Sequence, residues 1–380
     1  MTLLVEAPDV SARSPQLKYE QLCLRLIEDM QRGRLKPGDI LPSEPEFAEQ
    51  HNVARGTVRQ ALAQMERNGL IRRVRGKGTF IHEDATNRLR PGLDAFALIL
   101  PDAQRGYYPS LVKGFEDAAG IARNQVLLIS SSNDVARQGD GILQLIDKKV
   151  AGVAMVPVGS QPTPAYQVRQ LQKNNVPVVL CHRGIEGVRA PLITFDAHDV
   201  GRLAGELLIR KGHRKVAMVL AVRSGHGDAY EAGFRRAMEA GGAKLTDQDI
   251  IFIGSDGYAD YAEYERLADE AVHKLISRKD RPTAIFTGFD STAELLFLLL
   301  VRHGLSVPRD MSLVSFGGSI RLSPMQQRLT AITVDEMAIG RLAAGLLDEM
   351  RHGRRAIQSD ERIEIKLGVS EGQSVETRLV

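Results

Sequence analysis

The chain has 380 residues, of which 43% are hydrophobic and 26% charged, and its net charge is +3. This composition predicts a globular protein of two or three domains with enough apolar material for a large core. The two cysteines, Cys23 and Cys181, suit neither a disulfide framework nor a CxxC metal site, so we expect reduced thiols in a cytosolic protein. The start of the chain lacks the pattern of a signal peptide, and the apolar run ELLFLLLV at 294–301 is too short to span a membrane.

The excess positive charge lies at the N-terminal end of the chain. Residues 1–90 contain 15 Lys and Arg against 12 Asp and Glu, whereas residues 91–380 contain 35 of each kind. Within residues 51–80, seven cations accompany a single acid, Glu66. Charge that is concentrated in this way indicates an anionic partner for the N-terminal region.

Three helices are predicted first. Apolar residues at helical spacing predict a helix over residues 18–31. Ser43 and Glu46 have the spacing of a capping box at the start of a short second helix. The third helix covers the segment VARGTVRQALAQMER and ends at Asn68 and Gly69, a typical C-terminal stop signal.

The third predicted helix carries cations near its start. Arg55 and Arg59 are four residues apart and share a face opposite Val58 and Leu62. An arginine can bind a guanine edge through two hydrogen bonds or can bind a phosphate, and Thr57 can donate to phosphate. This helix is therefore predicted to contact DNA.

Two strand-like runs then flank a turn that contains Arg75, Gly76, Lys77 and Gly78, which completes the order of a winged helix-turn-helix domain. The glycines let backbone N–H groups approach a DNA backbone, while the two basic side chains supply charge. A phosphate-binding loop of an enzyme does not fit, because Gly78 stands where Ser or Thr must follow the lysine. A solvated basic hairpin without a partner is the remaining alternative.

Residues 83–93 are polar, include a Pro-Gly pair and are predicted to be a linker, so domains are expected at 1–82 and 94–380. From residue 96 onward, about nine apolar runs of strand length alternate with amphipathic helical stretches. This alternation predicts parallel sheets covered on both faces, and the number of strands favours two subdomains. The predicted fold is α/β overall, with an N-terminal winged helix-turn-helix (α+β) domain followed by two doubly wound parallel α/β subdomains that have a ligand cleft between them.

The segment LPSEPEFAEQHNVARGTVRQALAQMERNGLIRRVRGKGTFI, residues 41–81, resembles the GntR family of bacterial regulators. The family usually has Arg where this chain has Pro45, so one contact is missing or is supplied elsewhere. The resemblance implies DNA contacts from Ser43, Arg55, Thr57, Arg59 and the wing tip at Gly76, Lys77 and Gly78.

Residues 95–375 resemble the LacI/GalR type of effector domain, which is similar to periplasmic sugar-binding proteins. The resemblance is carried by segments such as FALILPDAQRGYYPSLVKGFEDAA, ITFDAHDVGRLAGELLIRKGHRKVAMV and RPTAIFTGFDSTAELL. The combination with a GntR-type domain is similar in architecture to arabinose-responsive repressors. It implies that this region forms the dimer surface and binds a small molecule in its cleft.

The second resemblance also implies ligand contacts. Tyr107 and Tyr108 follow the first strand, where the family stacks a ring on its ligand; the alternative is a pair of loop aromatics packed on a neighbour. Asp290 ends the strand AIFTGF, where the family's acid bonds ligand hydroxyls; the alternative is a helix N-cap. Tyr230 stands where the family often has an arginine.

Four further residues at strand ends are ligand-binding candidates. His182 and Arg183 end the strand VPVVLC, where the family commonly has an acid or a polar contact. Phe195 and Asp196 end LITF and are expected at the crossover between the subdomains. The family's late FDD motif is FGG here, at 316–318, so the contacts of the family's usual sugar are altered.

These features predict a cytoplasmic, ligand-responsive transcriptional regulator that acts as a repressor. We expect a homodimer that binds a double-stranded DNA operator, is switched by a sugar or sugar derivative in the cleft, and has no membrane partner. The sequence has no GxSxG, no HExxH and no paired carboxylates at helical spacing, so no enzymatic activity, catalytic residue, metal or cofactor is predicted.

An alternative from another class is a small-molecule receptor or a nucleotide-dependent enzyme of α/β fold, in which the basic N-terminal domain is incidental. A secreted receptor would need a signal peptide, and SFGGSI is a poor glycine fingerprint for a nucleotide. His198, His213 and His226 show no metal-ligand spacing and are predicted to lie on the surface.

Overall fold

The computed structural model describes residues 18–83, 85, 92–105, 107–256, 260–321 and 323–378. The chain divides between positions 91 and 92 into two compact units. This division falls inside the predicted linker, whose bounds remain a prediction. Within the described residues, no helix is both long and apolar enough to cross a membrane.

The first unit combines three helices with a small antiparallel sheet of order β1-β3-β2. Its elements are α1 (Lys18–Gln31), β1 (Ile40–Leu41), α2 (Glu44–Gln50), α3 (Arg55–Arg67), β2 (Ile71–Val74) and β3 (Gly78–Ile81). Their apolar faces enclose one core, which includes Leu22, Leu26, Phe47, Val58, Leu62, Met65 and Ile81. The predicted winged helix-turn-helix is confirmed, with β1 as an additional strand.

The second unit is built on two six-stranded sheets. Its strands are β4 (Leu93–Leu100), β5 (Gln125–Ser130), β6 (Val150–Met155), β7 (Val178–Cys181), β8 (Leu192–Thr194), β9 (Val216–Leu220), β10 (Ile250–Phe252), β11 (Ala284–Thr287), β12 (Ser312–Gly318), β13 (Thr330–Val334), β14 (Arg362–Glu364) and β15 (Leu367–Ser370). One sheet has the order β14-β8-β7-β6-β4-β5 and is parallel throughout. The other has the order β10-β9-β11-β12-β13-β15, and β15 alone runs antiparallel within it.

Helices cover both faces of the sheets, as predicted. They are α4 (Tyr108–Ile121), α5 (Val135–Lys148), α6 (Ala165–Lys173), α7 (Ala197–Arg210), α8 (Gly225–Ala240), α9 (Tyr261–Ile276), α10 (Asp290–Arg302), α11 (Pro324–Arg328) and α12 (Glu336–Arg351). In β4, Phe96 and Leu98 enter one apolar cluster, whereas Ala97 and Ile99 enter another. Since alternate residues of a strand point to opposite faces, this near-continuous apolar run reflects burial on both sides.

The chain passes between the two subdomains three times. It crosses between β8 and α7, between β13 and α12, and between β14 and β15, because α12 packs on α4 beside the first sheet and α7 packs on α8 beside the second. The carboxyl ends of the parallel strands thereby border a shared cleft, which is where α/β sheets bind ligands.

Candidate DNA-binding face and ligand cavity

The first turn of α3 presents cations to solvent. Val58 and Leu62 are buried and anchor the helix, while Arg55 and Arg59 are exposed on other sides of it. The Nε atom of Arg59 lies 3.3 Å from a carboxylate oxygen of Glu44, but the Arg59 side chain is 69% exposed. An ion pair this exposed contributes at most about 1 kcal/mol, so Arg59 can exchange Glu44 for a phosphate or a base at little cost. Thr57 is half-buried beside them.

The wing is a tight turn whose tip is basic. Gly76 and Gly78 have φ values of +74° and +115°, a region that other residues rarely adopt, and the N–H of Lys77 donates to the carbonyl of Val74 over 3.0 Å. The side chains of Arg75 and Lys77 are exposed, and neither forms an ion pair or hydrogen bond within the described part of the chain. The wing therefore offers two uncompensated cations to an anionic partner.

Ser43 begins α2 as the predicted capping box requires. Its backbone N–H and its hydroxyl both donate to the Glu46 carboxylate, over 3.0 and 2.9 Å. These two hydrogen bonds lower the pKa of Glu46. The Ser43 hydroxyl is thus engaged within the protein, and its contact with DNA remains a prediction.

In the second unit, a cavity of about 150 Å³ lies between the two subdomains at the carboxyl ends of their strands. Residues from both subdomains form its wall. They include Arg105, Tyr107, Tyr108, Asn133, Gly159 and Arg183 from the first subdomain and Ser224, His226, Tyr230, Asp256, Tyr264, Phe289 and Thr292 from the second. Four of the predicted ligand residues, namely Tyr107, Tyr108, Arg183 and Tyr230, are therefore placed on one cavity wall.

Aromatic rings supply the apolar part of the wall. The ring centroid of Tyr107 lies 5.0 Å from that of Tyr108 and 4.9 Å from that of Phe289, and Tyr230 packs edge-on against Phe316. Burial raises the pKa of Tyr108 to about 12 and also raises the pKa of Tyr107 and Tyr230. All three hydroxyls therefore stay protonated at neutral pH and can donate to a ligand oxygen.

A hydrogen bond links the two subdomains across the cleft. The side-chain amide of Asn133, after β5, donates to the Asp256 carboxylate, after β10, over 2.7 Å. The amide oxygen of the same Asn133 accepts from the N–H of Gly159 over 2.7 Å. Asn133 thus ties the loop that follows β6 to the opposite subdomain when the cleft is in this conformation.

Arg183 brings a cation to the cavity. Its Nε atom is buried and has no hydrogen-bond partner, and its guanidinium forms no ion pair with any described residue. A Cβ atom added to Gly159 would lie 2.3 Å from Nη1 of Arg183, so the glycine leaves the space that the guanidinium occupies. Nearby His226 has its pKa lowered to about 3, first by burial and then by the charge of Arg183, and is neutral at physiological pH.

The structure corrects the interpretation of Asp290. Its carboxylate does not line the cavity and is not a helix N-cap; it is 2% exposed and accepts from Arg321 over 2.9 and 3.1 Å and from Ser315 over 2.6 Å. A Cβ at Gly317 would lie 1.8 Å from Asp290 Oδ2, so the FGG sequence makes room for this buried pair. Asp290 is therefore satisfied inside the protein in this conformation.

His182, Phe195 and Asp196 also lie off the cavity wall. His182 is buried behind the tyrosines, and its Nε2 lies 3.0 Å from a carboxylate oxygen of Glu336, which is equally buried. Phe195 is buried and its ring packs on those of His182 and Phe316. Asp196 caps α7 by accepting from two backbone N–H groups, so these three residues shape the site without facing it.

Two family models match the chain at separate positions. Residues 18–81 match the bacterial regulatory proteins of the gntR family, and residues 205–375 match the periplasmic binding protein-like domain. The chain joins a gntR-family domain to a periplasmic binding protein-like domain. The gntR-family domain contains α3 and the wing, and the second match includes the half of the cavity wall that starts at Leu220.

Known transcriptional regulators are similar to this chain over most of their length. The arabinose metabolism transcriptional repressor of Geobacillus stearothermophilus is 27% identical over 340 residues, which cover 88% of this chain and 91% of that protein. Catabolite control protein A of Priestia megaterium is 27% identical over 323 residues, which cover 83% of this chain and 91% of that protein.

Solved structures support the fold of the periplasmic binding protein-like domain. The transcription regulator CcpA of Lactococcus lactis matches with a TM-score of 0.63 at 18% identity and covers 75% of this chain and 100% of that one. A transcriptional regulator CelR–cellobiose complex matches with a TM-score of 0.61 at 21% identity and covers 88% of this chain and 100% of that one. The predicted pair of doubly wound subdomains is thereby confirmed.

Several wall residues of the periplasmic binding protein-like domain were not predicted from the sequence. Asn133 and Asp256 each follow a strand, and His226 begins the helix after β9, so their positions at strand ends were an available signal. The prediction that His213 lies on the surface is wrong, whereas His226 is half-buried on the cavity wall. His213 is fully buried between the hydroxyl of Thr283 and a backbone carbonyl, and burial lowers its pKa.

Proposed function

We propose that the chain is a ligand-responsive transcriptional repressor. The gntR-family domain would bind operator DNA through α3 and the wing, and the cavity would bind a small effector, a sugar or sugar derivative. One observation supports this most directly. The same chain has a wing with exposed cations that form no ion pair among the described residues, and a cavity that is closed by the hydrogen bond between Asn133 and Asp256. The named relatives are regulators, so we assign the cavity a binding role and not a catalytic one.

The ligand acts by favouring one conformation of the cleft. An effector switches DNA affinity only if it binds two conformations with different affinity. Because the wall draws residues from both subdomains, a ligand that contacts both is bound better when the cleft is closed. The crossovers after β8 and β13 are then the segments through which closure reaches the rest of the domain.

We also propose a cytoplasmic homodimer that binds a two-fold symmetric operator. A two-fold symmetric dimer has two gntR-family domains, and each of them can bind one half-site of a symmetric operator. Ile121 at the end of α4 and Leu128 on the edge strand β5 are 87% and 43% exposed, and apolar side chains at a sheet edge are favoured contacts between subunits.

The wing contact is tested by replacing Lys77 with alanine. We expect weaker binding to all duplex sequences and a salt dependence whose slope falls by roughly one unit, because one fewer phosphate is neutralised. Fluorescence anisotropy titrations over a range of salt concentrations measure this slope. Arg67→Ala, at the far end of α3, is the matched control and should keep the wild-type slope. An unchanged slope for Lys77→Ala would remove the wing from the DNA contact surface.

The effector switch is tested at Asn133. Asn133→Ala removes the hydrogen bond across the cleft to Asp256, and a hydrogen bond to a charged group contributes about 1.5–3 kcal/mol. We therefore expect the variant to bind operator normally but to need at least about tenfold more effector for release. Anisotropy of labelled operator during an effector titration measures both quantities. Asn174→Ala, on the exposed end of α6, should respond like the wild type; equal responses of all three proteins would contradict the closure mechanism.

A further inference from the structure

We propose that the effector is a small polyhydroxylated carboxylate, of the sugar-acid class, whose carboxylate binds the guanidinium of Arg183. This inference rests on the regulator function proposed above, since it names the class of ligand for the same cavity.

Arg183 is held beside the cavity without a counter-ion. Its Nε is buried and has no hydrogen-bond partner, and no described residue forms an ion pair with the guanidinium. The residue is half-buried and lines the cavity, so a ligand anion can reach the guanidinium and complete its hydrogen bonds. A guanidinium presents paired N–H donors whose geometry matches the two oxygens of a carboxylate.

The other charges around the cavity already have partners in the protein. Arg105 lies 3.3 Å from the Asp102 carboxylate, and Asp256 accepts from Asn133. Glu336, behind the wall, is bound to His182. Among the described residues of this region, Arg183 is therefore the charge that a ligand would neutralise.

The rest of the wall suits a hydroxylated molecule of monosaccharide size. The cavity has a volume of about 150 Å³, and a second cavity of about 400 Å³ shares Arg183 and His226 with it. Together they have room for a monosaccharide derivative whose carboxylate reaches Arg183. The hydroxyls of Tyr108 and Tyr230 can donate to ligand oxygens, and their rings can cover apolar C–H groups. His226 is neutral, so one ring nitrogen can accept from a ligand hydroxyl and no second cation competes for the anion.

The charge balance favours a carboxylate over a phosphate. One guanidinium balances one negative charge. A phosphate monoester carries about −1.5 to −2 at neutral pH, which is more than the unpaired guanidinium of Arg183 balances, because Arg105 on the same wall is already paired with Asp102. We therefore assign the site to uronic or aldonic acids and not to sugar phosphates.

The experiment uses the full chain and matched probes: glucose, galactose and arabinose, the uronic and aldonic acids derived from them, and their phosphates. Thermal shift and calorimetric titration measure binding, and anisotropy of labelled operator measures release. We expect at least one sugar acid to bind at least about tenfold more tightly than its neutral parent sugar and its phosphate, because the ion-paired hydrogen bonds are added. A neutral sugar or a phosphate that binds as tightly as every acid would overturn the inference, and so would a panel in which no acid binds.

Variants of Arg183 locate the anion. Arg183→Met should lower affinity for the acid by about tenfold to over a hundredfold while its weak affinity for the neutral sugar is kept, and Arg183→Lys should recover part of the loss. Without ligand, Arg183→Met should melt close to the wild-type temperature, since the half-buried guanidinium forms no ion pair with any described residue. Arg302→Met, an exposed arginine on α10, is the control. Undiminished acid binding by a folded Arg183→Met protein would contradict the assignment.

These measurements distinguish a failure of the proposed regulator function from a failure of the ligand assignment. If an acid binds through Arg183 but leaves operator affinity unchanged, the ligand assignment stands and the proposed switch is wrong. If operator is released by a neutral sugar in both the wild type and Arg183→Met, the switch stands and the ligand assignment is wrong.

Discussion

Replacing Gly114 with alanine should lower the free energy of unfolding by about 3 kcal/mol or more, the upper end of the usual range for overpacking. A Cβ atom at position 114 would lie 2.1 Å from the carbonyl oxygen of Met337 and 2.9 Å from its Cα. Both atoms belong to the backbone of α12, so no side-chain rotation relieves the clash and α4 must move away from α12. Because Tyr107 and Tyr108 stand at the start of α4, the same displacement should also weaken ligand binding.

The matched control lies in the same helix. Gly120 has no atom within 4 Å of an added Cβ, and alanine is favoured over glycine in a helix by about 0.5–1 kcal/mol, so Gly120→Ala should be slightly stabilising. Urea unfolding of both variants, followed by circular dichroism, measures whether each substitution lowers or raises the free energy of unfolding. Equal stabilities would mean that the contact between α4 and α12 is looser than the structure shows.

The strands that the sequence could predict are those written as apolar runs between helical stretches. All nine apolar runs form strands, from β4 to β12, because their residues are uninterrupted and clearly bounded by helical stretches. The three missed strands depend on tertiary contacts. β14 and β15 are short and partly exposed, and each joins a sheet only after the chain has crossed between subdomains. β13 is fully buried, but its sequence TAITV contains two threonines that break the apolar run, so the local pattern does not mark it as a strand.

The sequence could predict those wall residues whose place in the cavity follows from their position at the end of a strand. Tyr107, Tyr108 and Arg183 follow strands and lie on the cavity wall, as the geometry of parallel sheets requires. Asp290 also follows a strand, yet its partner Arg321 is 31 residues away and the space for the pair depends on Gly317. The local sequence around Asp290 shows neither the contact with Arg321 nor the space left by Gly317. The contact between buried His182 and Glu336 is likewise invisible in the local sequence.

Replacing Glu336 with alanine should cost about 3 kcal/mol or more at neutral pH, since it breaks a fully buried pair. The carboxylate oxygen of Glu336 that faces His182 lies 3.0 Å from Nε2, and Nδ1 of His182 has no partner. Removal of Glu336 would leave both ring nitrogens buried and unsatisfied. The rings of Tyr107 and Tyr108 pack on His182, so effector affinity should fall together with the melting temperature. An Ala variant as stable as the wild type would show that water or a rearranged partner satisfies the imidazole.

Glu336→Gln separates the hydrogen bond from the charge, because the amide oxygen can still accept from His182. Burial raises the pKa of Glu336 above its ordinary value of 4.5, although His182 opposes the shift. A carboxyl group whose pKa is higher in the folded state stabilises the fold fully below about pH 4.5, and this contribution is lost as the pH rises through the folded-state pKa. Gln has no such dependence, so the stability of the variant relative to the wild type should rise between pH 4.5 and 7. Urea unfolding at several pH values measures the difference. A relative stability that falls over this range would instead mean that the folded state favours the ionised carboxylate of Glu336, which reverses the sign of the dependence.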